Sequence, residues 1–162
     1  MSNYYPPVSF SFSVSIGGNS RGVDASFSEV SGLNSRMDTF AVREGGENRF
    51  VHQLPQTVKN TNISLKRGLM VASSALVKWC KDTLEGGMSN PIVTKTVIVS
   101  LLDQTQQPML AWSLDRAWPV GWQVAQFNAR ENSVAIETID LAYAQVRRKL
   151  IRTKAATGFL KP

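Results

Sequence analysis

Cysteine and histidine are almost missing from this sequence of 162 residues: Cys80 and His52 each stand alone. One cysteine excludes an intrachain disulfide and a cysteine-rich metal cage, and one histidine removes a two-histidine zinc site. Long hydrophobic runs are lacking too; no stretch of about 18 apolar residues offers a transmembrane helix. The start, Met1 to Pro7, has neither the basic residues nor the apolar core of a secretory signal. Synthesis in a reducing cytoplasm is therefore expected. The phosphate-cradling G-x-x-x-x-G-K-[S/T] loop, the G-x-G-x-x-G turn and the G-x-S-x-G elbow do not occur. A Cys80–His52 pair survives counting alone, but Cys80 falls on an apolar helical face and His52 in a polar stretch. No catalytic, cofactor-binding or metal residue is assigned, and no enzyme is predicted.

Acidic residues are absent from the last sixteen positions. Residues 147–162 carry Arg147, Arg148, Lys149, Arg152, Lys154 and Lys161. The whole chain has 18 Lys and Arg against 12 Asp and Glu, so the remaining body is formally neutral. The charge pattern divides the chain into a domain over 1–146 and a basic C-terminal tail over 147–162. A sequence pI of 9.8 invites a nucleic-acid reading through that tail. Groove binding, however, usually needs cations interleaved with aromatics on the folded domain itself. Leu150, Ile151, Phe159 and Leu160 are more apolar than a purely solvated tail requires.

What is present is strand pattern. Phe10, Phe12, Val14 and Ile16 alternate with Ser9, Ser11, Ser13 and Ser15, which predicts one apolar and one small hydroxylated face. Gly17 to Ser20 supplies turn chemistry. Strands are predicted over 25–31, 36–43, 62–66, 93–102, 109–115 and 118–124, with a long extended segment over 133–146. Residues 44–61, polar and carrying Gly45, Gly46 and Pro55, read as one long loop and a candidate for outside contacts. One helix is predicted over 73–85, where Leu76, Trp79, Cys80, Thr83 and Leu84 share a face. The fold class is mainly β: an antiparallel sandwich or barrel with one flanking α-helix.

Several fragments in fixed order resemble the tail-tube proteins of contractile phage tails and extracellular contractile injection systems. They are Pro6-Pro7, Phe27-x-Glu29-Val30-Ser31-Gly32-Leu33, Arg43 through Phe50, Leu65-Lys66-Arg67-Gly68, Trp79-Cys80, Trp112-x-Leu114, Ala117-Trp118-Pro119, Phe127-Asn128-Ala129 and Ile136 through Leu141. The resemblance spans about residues 6–145. It implies a non-enzymatic structural subunit with no cofactor. Its partners would be a homo-hexameric ring, adjacent rings, a surrounding sheath, and the spike hub and baseplate. No membrane is implied, and nucleic acid enters only as cargo in the lumen. The protein would leave the producing cytoplasm as part of a phage tail or released injection particle.

Carried over residue by residue, the resemblance puts Arg43, Glu44, Gly45, Gly46, Glu47, Asn48, Arg49 and Phe50 at subunit or ring contacts. Mixed charges there suit complementary pairing, Gly45-Gly46 frees the backbone to turn, and Phe50 is the apolar anchor. Ser9, Ser11, Ser13 and Ser15 are candidate lumen lining; an ordinary solvent face is the other reading of that strand. Arg147, Arg148, Lys149, Arg152 and Lys154 would make tail contacts. The tail departs from typical tube subunits and favours an initiator ring at the tube base. The competing readings are a nucleic-acid-binding module using the tail and a small hydrolase built on Cys80.

Overall fold

A computed structural model describes residues 11–17, 23–46, 49–69, 74–125 and 135–151. Nine strands and one α-helix are described, with a short 3-10 turn at Gly87–Ser89: β1 (Ser11–Ile16), β2 (Val23–Ser31), β3 (Ser35–Val42), β4 (His52–Asn60), β5 (Ile63–Gly68), α1 (Ala75–Glu85), β6 (Lys95–Leu102), β7 (Pro108–Val124), β8 (Ile136–Ala142) and β9 (Gln145–Leu150). Six of the strands close a barrel in the order β1-β2-β5-β8-β7-β6, because β6 pairs with both β1 and β7. Every pairing is antiparallel. Of the two architectures predicted, the chain adopts the barrel.

Alternation decides which side chains fill it. Val14 on β1, Ile63 and Leu65 on β5, Val97 and Val99 on β6, and Ile139 and Leu141 on β8 are all fully buried. Each pair is spaced by two, the period that sends side chains to one face of a strand. Helix α1 closes one side of the barrel with Leu76, Trp79 and Cys80, which join the same core. Ser74 caps the helix by accepting the Val77 amide at 3.2 Å. Leu84, predicted on the apolar face, is exposed at the helix's last turn.

Two charged residues take core-phase positions. Arg67 follows Ile63 and Leu65 on β5, and Glu137 precedes Ile139 on β8; the two stand directly opposite in register. The Arg67 Nε donates to Glu137 Oε2 at 2.7 Å with both side chains buried. Trp122 Nε1 donates to the other carboxylate oxygen at 2.8 Å, and Arg67 Nη2 reaches the Ser74 hydroxyl at 3.3 Å. The guanidinium also lies 5.1 Å from the centre of the Phe27 ring. One ion pair therefore joins two barrel strands to the cap of the helix. Burial of such a pair demands this density of partners, because each ion has lost its water.

Three expectations change. Residues 108–124 form one continuous strand, not two partner strands. Arg116 takes a left-handed φ of 53° and lets the strand bend without breaking. Residues 52–60, predicted as loop, form β4 and pair with β3 in a separate two-stranded ribbon. Pro55 suggested a break, but an edge strand tolerates a missing N–H. The extended segment at the C-terminal end divides at Tyr143-Ala144 into β8 and β9. The register on β7 carries across the break, with Trp118 opposite Ala142 and Asp115 opposite Gln145; on β8 it shifts by one residue between Pro119 and Gly121, and on β9 the pairing runs on to Leu150.

Candidate functional site

The ribbon is the part of the chain that the barrel does not explain. Eight of the nine β4 residues are exposed, as are most of β3. Met37 opposes Val58, and Phe40 opposes Leu54. Each of the four keeps more than half of its surface accessible. A shift in register between Met37 and Thr39 separates the pairs. The pleat sends Met37 and Val58 to one face and Phe40 and Leu54 to the other. Both faces of the ribbon are thus apolar and open. An isolated two-stranded ribbon is marginal in water, and apolar surface of this kind marks an interaction site.

The ribbon tip holds most of the predicted contact residues. Arg43, Glu44, Gly45 and Gly46 are exposed there, and Gly46 turns the chain at φ 99°. Arg49 and Phe50 lead exposed into β4; Glu47 and Asn48 lie outside the described residues. His52 meets Glu44 at 3.5 Å and the Phe50 ring edge-on at 5.0 Å between centres. Farther down, Lys59 pairs with Asp38 at 2.6 Å, which raises the Lys59 ammonium above its ordinary value. Cys80 is buried in the barrel core while His52 stands on the exposed ribbon, so the two form no catalytic dyad.

At its base the ribbon is clamped to the barrel by a polar cluster that the sequence did not announce. The Tyr143 hydroxyl, in the break between β8 and β9, lies 3.2 Å from the Gly32 carbonyl and 3.3 Å from that of Asn34. Partial burial raises the phenol above its ordinary value, keeping it a neutral donor. The Thr61 hydroxyl reaches the Asn34 side-chain oxygen at 2.8 Å, Ser35 donates to Asn60 at 2.8 Å, and Asn60 Nδ2 donates to the Ala144 carbonyl at 3.1 Å. Gly32 sits at φ 85°, and a Cβ there would lie 2.1 Å from the Asn62 carbonyl oxygen. Only glycine fits that crossing. The result is an arm whose root is fixed and whose blade is bare.

The barrel's outer wall carries the second predicted surface. Ser11, Ser13 and Ser15 point away from the buried Val14 side of β1; Ser9 lies outside the described residues. Ser13 stands opposite Ser100 on β6, but Ser11 stands opposite Leu102 and Ser15 opposite Ile98, so the small face of β1 meets large aliphatic residues at both ends of the pairing. Of the basic residues, Arg147, Arg148 and Lys149 are exposed on β9, and Arg152 and Lys154 lie outside the described residues. Among the described residues, no group of three His, Cys, Asp or Glu side chains could hold a metal, and no helix is long and apolar enough to cross a membrane.

A closed antiparallel barrel with one flanking helix and one projecting ribbon is the architecture of tail-tube subunits. It is shared with a structure of a type six secretion system protein, at 12% identity and a TM-score of 0.57 over 86% of this chain and 83% of that one. The likeness is stronger to a chain in the cryo-EM structure of the anti-feeding prophage (AFP) baseplate, 6-fold symmetrised. There the identity is 27% and the TM-score 0.75, over 94% of this chain and 100% of that one. A chain in the extended sheath–tube complex of the PVC extracellular contractile injection system is 26% identical, with a TM-score of 0.74 over 93% and 95%. No curated protein sequence is significantly similar. The model of the T4-like virus tail tube protein gp19 family matches residues 8–147, and the chain belongs to that family.

Proposed function

We propose that this chain is a structural, non-enzymatic subunit of the inner tube of a contractile tail or injection system. Copies close into a hexameric ring, and rings stack within a sheath. The observation that carries this reading is the ribbon: four large apolar side chains bare on both faces, on a root fixed by hydrogen bonds. A monomer gains nothing from such an arm; a repeating assembly covers it. Heterologous contacts of one arm with the next copy close by rotation into a ring. The similar chain in a six-fold baseplate assembly supports the same symmetry.

Within that assembly, Arg43 through Phe50 make the contacts at the arm's tip between subunits or rings. Ser11, Ser13 and Ser15, with Ser9 before them, line the lumen with small uncharged groups. The charge pattern sets the tube domain at 1–146, although β9 carries the sheet itself on to Leu150, and the cations from Arg147 onward serve contacts at the tube's end. That division favours an initiator ring, meeting the spike hub and baseplate, over the repeating wall. The subunit is made in the cytoplasm and leaves as part of a particle. Electron microscopy of the purified protein and of the particle tests this reading. Six-fold rings are expected, with one ring's worth of copies per particle for an initiator. Failure to find any ring in either sample would overturn it.

A further inference from the structure

The three successive cations of β9 do not share a face. Ladder pairings carry the sheet from β1 through β6 and β7 to β9, and residues directly opposite in such a ladder lie on one side of it. Val14, Val99, Trp112 and Arg148 form one row, on the core side that the fully buried Val14 and Val99 define. The rows before and after it face the other way. One is Ser15, Ile98, Ser113 and Arg147; the other is Ser13, Ser100, Ala111 and Lys149. Arg147 and Lys149 therefore stand on the serine side of the wall, and Arg148 between them does not. Pairing of the outer edge of β9 with another copy would leave this division intact, because ladder bonds run in the plane of the sheet and side chains stand out of it.

Charge on that side is lopsided. Asp115 is the only acid in the four strands, and it lies 3.6 Å from Arg147. Lys149 is exposed and has no acidic partner among the described residues. Two cations against one acid leave one cation in surplus on each copy. We infer that Lys149, with Arg147 beside it, projects into the bore that the β1 serines line and holds an acidic polypeptide segment there, while Arg148 faces away from it. The inference rests on the ring reading and narrows two of its contacts at the tube's end to the inner wall. A polypeptide fits better than a nucleic acid. The half-buried Ile98 stands in the same row as Arg147, which suits a chain of mixed acidic and apolar side chains. A nucleic acid, charged at every nucleotide, needs a denser array of cations.

The test uses rings verified by electron microscopy. Lys149→Cys and Arg148→Cys, labelled after assembly with a small maleimide–gold cluster, report position; Cys80, buried in the core, stays silent. Gold should lie inside the bore for position 149 and outside it for position 148. A fluorescent peptide of alternating Glu and Val, its Gln counterpart and a single-stranded DNA oligonucleotide report the partner, read by anisotropy at low ionic strength. Parent rings should bind the Glu peptide about tenfold more tightly than the Gln peptide, as several exposed ion pairs together allow. Lys149→Gln should weaken Glu-peptide binding several-fold, Lys149→Arg should keep it, and Arg148→Gln should leave it within about twofold. Rings with gold at position 149 outside the bore, equal affinity for the two peptides, equal effects of the two Gln variants, or tighter binding of the DNA would overturn this inference alone. Absence of any ring would overturn the ring reading, and this inference with it.

Discussion

The barrel and the ribbon are built from the same element, an antiparallel pair of strands, yet they solve opposite problems. In the barrel, alternation puts Val14, Leu65, Val97 and Ile139 into one enclosed core, and among the described residues of the six closing strands only Trp122 and Ile136 are large apolar side chains left exposed. In the ribbon, Met37, Phe40, Leu54 and Val58 are as apolar as core residues but have nothing to bury against. The two regions meet at Gly32, Asn34, Asn60, Thr61 and Tyr143, where hydrogen bonds fix the angle of the arm. Stability lives in the first region and, on the proposed function, assembly in the second. A substitution in one should leave the other's property nearly untouched.

Glu137→Ala should have the largest effect on stability. It leaves Arg67 buried without its carboxylate and removes the acceptor of Trp122. Breaking a buried pair from one side costs about 3–5 kcal/mol, read as a lower urea midpoint. Gly32→Ala should come next, at about 1–3 kcal/mol, from its left-handed backbone and the clash with the Asn62 carbonyl. If the clamp sets the arm, this variant should also impair ring formation before the barrel melts. Tyr143→Phe should cost about 1 kcal/mol, one net hydrogen bond, and speed amide exchange at the ribbon root. Phe40→Asp with Leu54→Asp should leave the subunit's melting within about 0.5 kcal/mol of the parent, as exposed substitutions do. The same pair should abolish rings in electron micrographs. A large stability loss there would mean that the ribbon is part of the core after all.

Titration gives the smallest effect. The Tyr143 phenol is raised in the folded protein, so the native state holds that proton more tightly than the unfolded chain. Its contribution is complete below the ordinary tyrosine value near 10 and is lost as pH rises through the folded value. Root amides should exchange progressively faster in that alkaline window, after correction for intrinsic exchange, and Tyr143→Phe should remove the pH dependence.

Legibility in the sequence followed burial. The serine-alternating strand and the helix obey periods that one-sided burial imposes, and the run Val97-Ile98-Val99 marks a strand by its β-branched composition; each was readable. Residues 52–60 were not, because a ribbon exposed on both faces shows no periodic apolar pattern and Pro55 reads as a break. The continuous β7 was hidden by Arg116, whose unusual backbone no local motif announces. Arg67 and Glu137 did leave a trace: each sits in phase with the apolar residues of its own strand. The clamp left none, since Tyr143 and Gly32 are over a hundred positions apart and meet only when the barrel closes. The contacts proposed for the ribbon tip entered through resemblance, and the apolar blade behind them came from register.

The central claim, that the ribbon is covered by a neighbouring copy, is tested most directly by hydrogen exchange of the free subunit against the assembled ring. Amides over 35–42 and 52–60 should slow on the order of a hundredfold on assembly, while those of β5 and β8, already protected, should not change. Unchanged ribbon exchange in a ring verified by microscopy would contradict the account.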